Sequence, residues 1–218
     1  MVRARAVALV FSGGDRVERT ITDQLPPDAL VIAADSGIDH ALAAGRSVDV
    51  AVGDFDSVSA EGLASVRAAG ASIHEHPADK DASDLELALD EAMAAGVEHV
   101  IVVGGHGGRV DHFLVNAMLL VSERHRGMRI EAWLGPTRAF VVRPPDPLVL
   151  TGHPGDVITL LAVRAAAMGV TTTGLRYPLD GDALSPGSTR GLSNELVDPE
   201  ATVALTHGCL LVIQPGND

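Results

Sequence analysis

The chain carries two different patterns of apolar positions. Up to about Leu134, short β-branched runs alternate with Ala-rich stretches of helical period. Ala6–Phe11, Leu30–Ala34, Val48–Val52, Val100–Val103 and Arg129–Leu134 read as strands, with Ser72–His74 a short sixth. Between them, helices are predicted near Ile38–Ala44 and over Gly62–Ala69, Leu85–Ala95 and Phe113–Ser122. Leu85, Leu87, Leu89, Ala92 and Met93 give the third of these a broad apolar face. Strand and helix in alternation predict a mostly parallel sheet covered on both faces. After Gly135-Pro136 the pattern changes. Ala139–Val142, Leu148–Leu150, Val157–Leu161, Val170–Thr173, Ala201–Leu205 and Leu210–Ile213 have strand character, with Gly, Pro and Asp between them. That predicts a small antiparallel β-sandwich or barrel. The expected organisation is an α/β domain over 1–134 and a β-sandwich domain over 135–218.

Composition narrows the chemistry. The chain has 218 residues and a net charge of -13, and only 3% of it is aromatic. An acidic surface with few stacking faces disfavours nucleic acid as a partner. It still allows a polyphosphate, provided a divalent cation bridges the two. Lys80 is the only lysine, so any lysine-dependent step falls to it. The single Cys209 lies in an apolar run, expected to be an inert core strand, and can form no internal disulfide. Arg3 and Arg5 precede an apolar run too short for a signal peptide, and no stretch approaches the ~18 apolar residues of a membrane span. The expected location is cytoplasmic.

Ligands of an open α/β sheet bind beyond the carboxyl ends of its strands. The loops expected there are Ser12-Gly13-Gly14-Asp15, Asp35-Ser36-Gly37, Gly53-Asp54-Phe55-Asp56-Ser57, Asp79-Lys80-Asp81-Ala82-Ser83-Asp84 and Gly104–His112. Five Asp- or Gly-bearing loops on one sheet edge predict a site. Asp54 and Asp56 are two apart, so in extended backbone both carboxylates face one side and can share a hard cation such as Mg²⁺. The structural alternative is that Asp56 or Ser57 caps the next helix. Ser83 and Glu86 fit a capping box that sets Asp84 in the first turn, and Lys80 can reach phosphate in the same region. The glycines from Gly104 to Gly108 let backbone approach an anion, and Arg109 adds a phosphate donor.

Other chemistries fit less well. The glycine spacing is neither the dinucleotide fingerprint nor a Walker loop, and no Gly-x-Ser-x-Gly elbow occurs. His74, His76, His106, Asp111 and His112 lack the spacing of a zinc site. Trp133 reads as packing, and Ser193 and Asn194 read as ordinary turn residues.

Taken in order, several stretches resemble the thiamine pyrophosphokinase family. They are Ala34-Asp35-Ser36-Gly37, Gly53–Ser57, Lys80–Ala88 and Gly107–Asn116, then Gly174–Leu179 and Gly191–Glu195. The resemblance implies transfer of a diphosphate from ATP to the hydroxyl of thiamine, releasing AMP. It also implies Mg²⁺, and a homodimer with thiamine bound near the subunit interface. By position, Asp54, Asp56 and Asp84 would hold Mg²⁺ and polyphosphate, with Asp35 beside the metal. Asp35, Lys80, Ser83, Arg109, Asp111, His112 and Asn116 would contact ATP, and Asp111 would also orient or deprotonate the hydroxyl. Ser193 and Asn194 would line the thiamine pocket. The sequence departs from the family at Ser36, where a glycine is common, and at Asp39 and His40, which replace Asn and Arg. Those departures bear on the acceptor more than on the phosphate chemistry. Two other readings stay open: the same transfer to another hydroxyalkyl heterocycle such as a hydroxymethyl-pterin, and a non-catalytic nucleotide- or thiamine-binding module.

Overall fold

The computed structural model describes residues 6–216; Arg3 and Arg5 lie outside the described residues. The chain divides into two compact units, Met1–Gly135 and Pro136–Asp218.

The first unit is an α/β sheet. Its strands are β1 (Val7–Phe11), β2 (Leu30–Ala34), β3 (Val50–Gly53), β4 (Ser72–Glu75), β5 (His99–Val103) and β6 (Arg129–Leu134). All neighbouring pairs are parallel, in the order β4-β3-β2-β1-β5-β6. The near-continuous apolar runs of β1, β2, β3 and β5 have a physical reason, because these strands are buried on both faces, whereas the edge strand β4 is not. Leu9, Phe11, Val31, Ala33, Ile101 and Val103 belong to one core cluster. Their alternate neighbours Ala8, Val10, Ile32, Val100 and Val102 are buried as well. Helices α1 (Arg19–Thr22), α2 (Gly37–Ala43), α3 (Ala60–Ala68), α4 (Asp84–Ala94) and α5 (Val110–Leu120) make the connections. Gly37 is required where α2 crosses β1, since a Cβ there would lie 2.2 Å from the Phe11 carbonyl oxygen. The strand order reverses between β1 and β5, which places the ligand crevice of such a sheet between their two following loops.

The second unit is a sandwich of two antiparallel sheets. One has the order β7 (Thr137–Val142), β14 (Leu210–Gln214), β9 (Val157–Ala162), β12 (Asn194–Glu195). The other has the order β11 (Asp182–Leu184), β10 (Ala167–Thr173), β13 (Glu200–Ala204), β8 (Leu148–Thr151). Inward residues such as Leu148, Leu150, Ile158, Leu160, Val170 and Val203 fill the space between them.

Three details differ from the sequence reading. Helix α5 starts three residues before the expected Phe113, so Asp111 and His112 belong to its first turn and not to the preceding loop. The strands β11 and β12 and the helix α1 are too short for periodicity to detect. Cys209 precedes β14 and is half-buried, so it is not a core strand residue. Trp133 is packing: it is 5% exposed within the first unit's core, and its indole N–H donates to Glu131.

Candidate active site

A cleft of about 780 Å³ opens at the carboxyl edge of the parallel sheet. Its floor is the β1/β5 crevice. Gly105 N–H donates to the Gly13 carbonyl at 2.7 Å and Asp15 N–H to the His106 carbonyl at 2.8 Å, so the two glycine loops are stitched together. Asn116, reaching back from α5, donates to the Gly105 carbonyl at 3.5 Å and braces the same loop.

Three carboxylates converge on this edge. Asp35, Asp54 and Asp56 each offer an oxygen within 4.8 Å of the others. The convergence does not come from extended backbone, as the spacing alone suggests. Phe55 has φ 60, in the left-handed region, and its ring packs on the core. The turn therefore swings Asp54 and Asp56 around a half-buried anchor, a strained arrangement typical of functional loops. Asp35 is also left-handed, φ 48, which aspartate tolerates. Gly53, φ 144, permits the approach of neighbouring acids. A Cβ at that position would lie 3.2 Å from Asp84 Oδ1 and 3.3 Å from the Asp35 Cβ. Neither Asp56 nor Ser57 caps the next helix; Ser59 does, accepting from Gly62 N–H. Ser57 instead donates through its hydroxyl to Asp56 at 2.7 Å and through its N–H to Asp35 at 3.4 Å.

Burial pushes the Asp35 carboxyl above the ordinary aspartate range. Backbone N–H groups of Ser36 and Ser57 oppose the shift, while Asp84 and Asp56 add to it through like charge. The group thus carries an electrostatic cost that a cation would relieve.

Asp84 belongs to a different contact. Ser83 caps α4, its hydroxyl accepting from Glu86 N–H at 3.2 Å, while the return bond of a full capping box does not form among the described residues. Asp84 in the first turn then meets Lys80 Nζ at 2.9 Å, and the same ammonium reaches Asp54 at 3.4 Å. The Lys80 side chain is only 12% exposed. Burial works against its charge, but hydrogen bonds and charge from Asp84, and then from Asp54, outweigh that and hold its pKa above the usual lysine value.

The sequence-predicted residues divide by place. Asp35, Asp54, Asp56, Lys80, Ser83 and Asp84 line the cleft. So do Arg109 and His112 at the start of α5 and Asn116 two turns further along it. Asp111 does not. It is exposed and held by Arg109, Nη2 to Oδ2 at 2.5 Å and Nε to Oδ1 at 3.1 Å. This pairing lowers its pKa to about 2, which makes it a poor base. In this conformation the carboxylate is engaged in steadying Arg109. Among the family departures, Ser36 lines the cleft with its hydroxyl beside Gly13. Asp39 instead holds the start of α3, accepting from Ser59 N–H at 2.9 Å and Ser59 Oγ at 2.6 Å. His40 donates to the Ser12 carbonyl at 3.1 Å, behind the first glycine loop.

Ser193 and Asn194 lie in the second unit, at β12. Ser193 is exposed with φ 56. Asn194 is buried, and its amide is spent on backbone: Oδ1 accepts from Tyr177 and Glu195 N–H at 3.0 and 2.9 Å, and Nδ2 donates to the Tyr177 carbonyl at 2.8 Å. Asn194 is thus a positioning residue for the Tyr177 turn. The exposed Tyr177 ring beside Arg176 is the surface feature that residue-by-residue reading missed. Its signal was a long-range hydrogen bond, which sequence spacing does not carry.

An oxygen-only set of acids facing a glycine cradle suits a polyphosphate neutralised by a hard cation, the equipment of a nucleotide-dependent group-transfer enzyme. Residues 23–132 match the family model described as thiamin pyrophosphokinase, catalytic domain, and residues 148–210 the one described as thiamin pyrophosphokinase, vitamin B1 binding domain. The chain belongs to the thiamin pyrophosphokinase family. It is 28% identical over 210 residues to the thiamine pyrophosphokinase of Bacillus subtilis (strain 168), covering 96% of this chain and 98% of that protein. The crystal structure of thiamine pyrophosphokinase from Bacillus subtilis has a TM-score of 0.85 at 27% identity, covering 97% of this chain and 100% of that one. The thiamin pyrophosphokinase structure from Geobacillus thermodenitrificans has a TM-score of 0.81 at 27% identity, covering 97% and 98%.

Proposed function

We infer that this protein transfers a diphosphate group from ATP to the hydroxyl of thiamine, giving thiamine diphosphate and AMP. The observation that carries the reading is the convergence of Asp35, Asp54 and Asp56 at the mouth of a cleft of about 780 Å³. That volume lies within the roughly 300–1,000 Å³ of ligand sites. In the reaction the thiamine oxygen attacks the β-phosphorus, and the bond from that phosphorus to the oxygen bridging it to the α-phosphorus breaks. AMP leaves with the bridging oxygen, and the hydroxyl proton is lost to solvent. Such a transfer needs positioning and charge neutralisation more than covalent help.

Asp35, Asp54 and Asp56 fit Mg²⁺, and Asp84 stands beside them. When bound, the cation would neutralise the triphosphate in an acidic cleft. The glycine loops after β1 and β5 offer backbone to the phosphates. Arg109, oriented by Asp111, and His112 would reach the nucleotide from the start of α5, and Asn116 would keep the second glycine loop in shape. For thiamine we propose Ser193 as a contact and Asn194 as the brace beneath it, with the exposed Tyr177 ring as an apolar surface.

A homodimer fits the apolar stripe of α5. Val110, Leu114, Val115 and Met118 are 55–70% exposed, and a second copy of the chain is the occupant we propose. Among the described residues no helix is long and apolar enough to cross a membrane. We place the protein in the cytoplasm, where ATP is available. The acceptor is tested by following AMP release from Mg-ATP with thiamine or with a hydroxymethyl-pterin. Thiamine-dependent release supports the reading; release with the pterin alone moves the assignment to that acceptor class. Ligand binding without turnover moves it to a binding module.

A further inference from the structure

The cleft's own cation raises a question that the phosphate-contact reading of Lys80 does not answer. Its ammonium is already engaged, 2.9 Å from Asp84 and 3.4 Å from Asp54. Arg109, the arginine on the cleft wall, is bound to Asp111 and exposed. The converging acids therefore have one partly buried counter-charge among the described residues. One of them, Asp54, would belong at the same time to the metal set and to the lysine.

We propose that Lys80 is a resident counter-ion that competes with free divalent metal for Asp54 and Asp84 and moves onto phosphate when metal and nucleotide enter together. The proposal rests on the functional reading above. A lysine suits this task better than an arginine. Its ammonium is a point charge on a flexible four-carbon stem, whereas a guanidinium fork locks onto one carboxylate geometry. Free metal approaching the cleft must displace the ammonium and leave it partly buried without a partner, which is costly. Metal carrying a triphosphate brings the replacement partner with it, so the displaced ammonium finds an anion. The device would make the site poor at binding bare metal and good at binding loaded nucleotide. A charge that merely filled space would give no such discrimination.

The test compares wild type with Lys80→Met, using Mn²⁺ alone and Mn²⁺ with the α,β-methylene analogue of ATP, in which the bond to be broken is blocked. Free and bound Mn²⁺ are counted by electron paramagnetic resonance. Lys80→Met should bind bare Mn²⁺ on the order of tenfold more tightly than wild type, and the loaded analogue on the order of tenfold more weakly. Bare-metal affinity equal to or weaker than wild type overturns the proposal, whatever happens to nucleotide affinity.

A second measurement needs no variant. Lysine-selective ¹³C labelling gives one lysine side-chain signal, because the chain has one lysine. Saturating Mg²⁺ alone should shift that signal and increase its mobility, and adding the analogue should restrain it again. A signal indifferent to Mg²⁺ alone overturns the proposal even if Lys80→Met fails to fold. If wild type binds neither metal nor analogue, the functional reading falls and this one with it. If wild type binds the loaded analogue while both lysine readouts stay unmoved, only the counter-ion role is lost.

Discussion

At the scale of single residues, the site is a set of charges held where they would not choose to be. Asp35 is buried in left-handed backbone, with its pKa raised first by burial. A raised carboxylate opposes folding once ionised. In the metal-free protein, the stability linked to this group is therefore fully present below the ordinary aspartate value of 3.8 and is lost as pH rises from there through the raised pKa. Asp35→Asn keeps the shape and the backbone acceptor, and asparagine tolerates the left-handed region. The variant should melt a few degrees higher than wild type at pH 7 in chelator, while losing turnover. A lower melting temperature would contradict the assigned cost. Asp111 is the opposite case. Its hydrogen bonds to Arg109 depress the pKa to about 2. The contribution of that pair is present above the ordinary carboxylate value of 3.8 and is lost as pH falls towards about 2. Asp111→Asn should raise the KM for ATP about threefold to tenfold through a loosened Arg109 and leave kcat within a few-fold. A general base would show itself instead by a kcat loss of roughly a hundredfold or more.

At the scale of elements, the cleft is made by where strands stop and helices start. Asp84 is placed by the cap of α4, so Ser83→Ala should cost about 1 kcal/mol in a denaturant melt. A cost near zero would mean the cap is idle. Much of this level was legible in the sequence. The uninterrupted apolar runs gave the doubly covered parallel strands, and the acids at their ends gave the edge on which a site sits. What was not legible depends on backbone turns and distant partners. The side-by-side placing of Asp54 and Asp56 follows from the left-handed Phe55, which no spacing rule anticipates. The tie between Asn194 and Tyr177 spans 17 residues. The two-residue strand β12 is set by pairing with β9, not by its own pattern. Helix α5 is the clearest lesson. Most of its residues are apolar, yet among them only Leu120 is buried.

At the scale of the whole molecule, an exposed apolar stripe on an acidic chain of net charge -13 calls for a partner surface. Sedimentation should find a dimer, and the pair Leu114→Glu with Met118→Glu should shift it to monomer; a wild-type monomer at micromolar concentration would remove α5 from that role. The central claim is that the acidic cleft directs thiamine to the β-phosphorus of ATP, and ³¹P NMR of the thiamine reaction reads this outcome directly. AMP and thiamine diphosphate should form in equal amounts, both absent with Asp54→Asn, which should retain the wild-type circular dichroism spectrum. ADP with thiamine monophosphate, or AMP with free pyrophosphate regardless of thiamine, would contradict it.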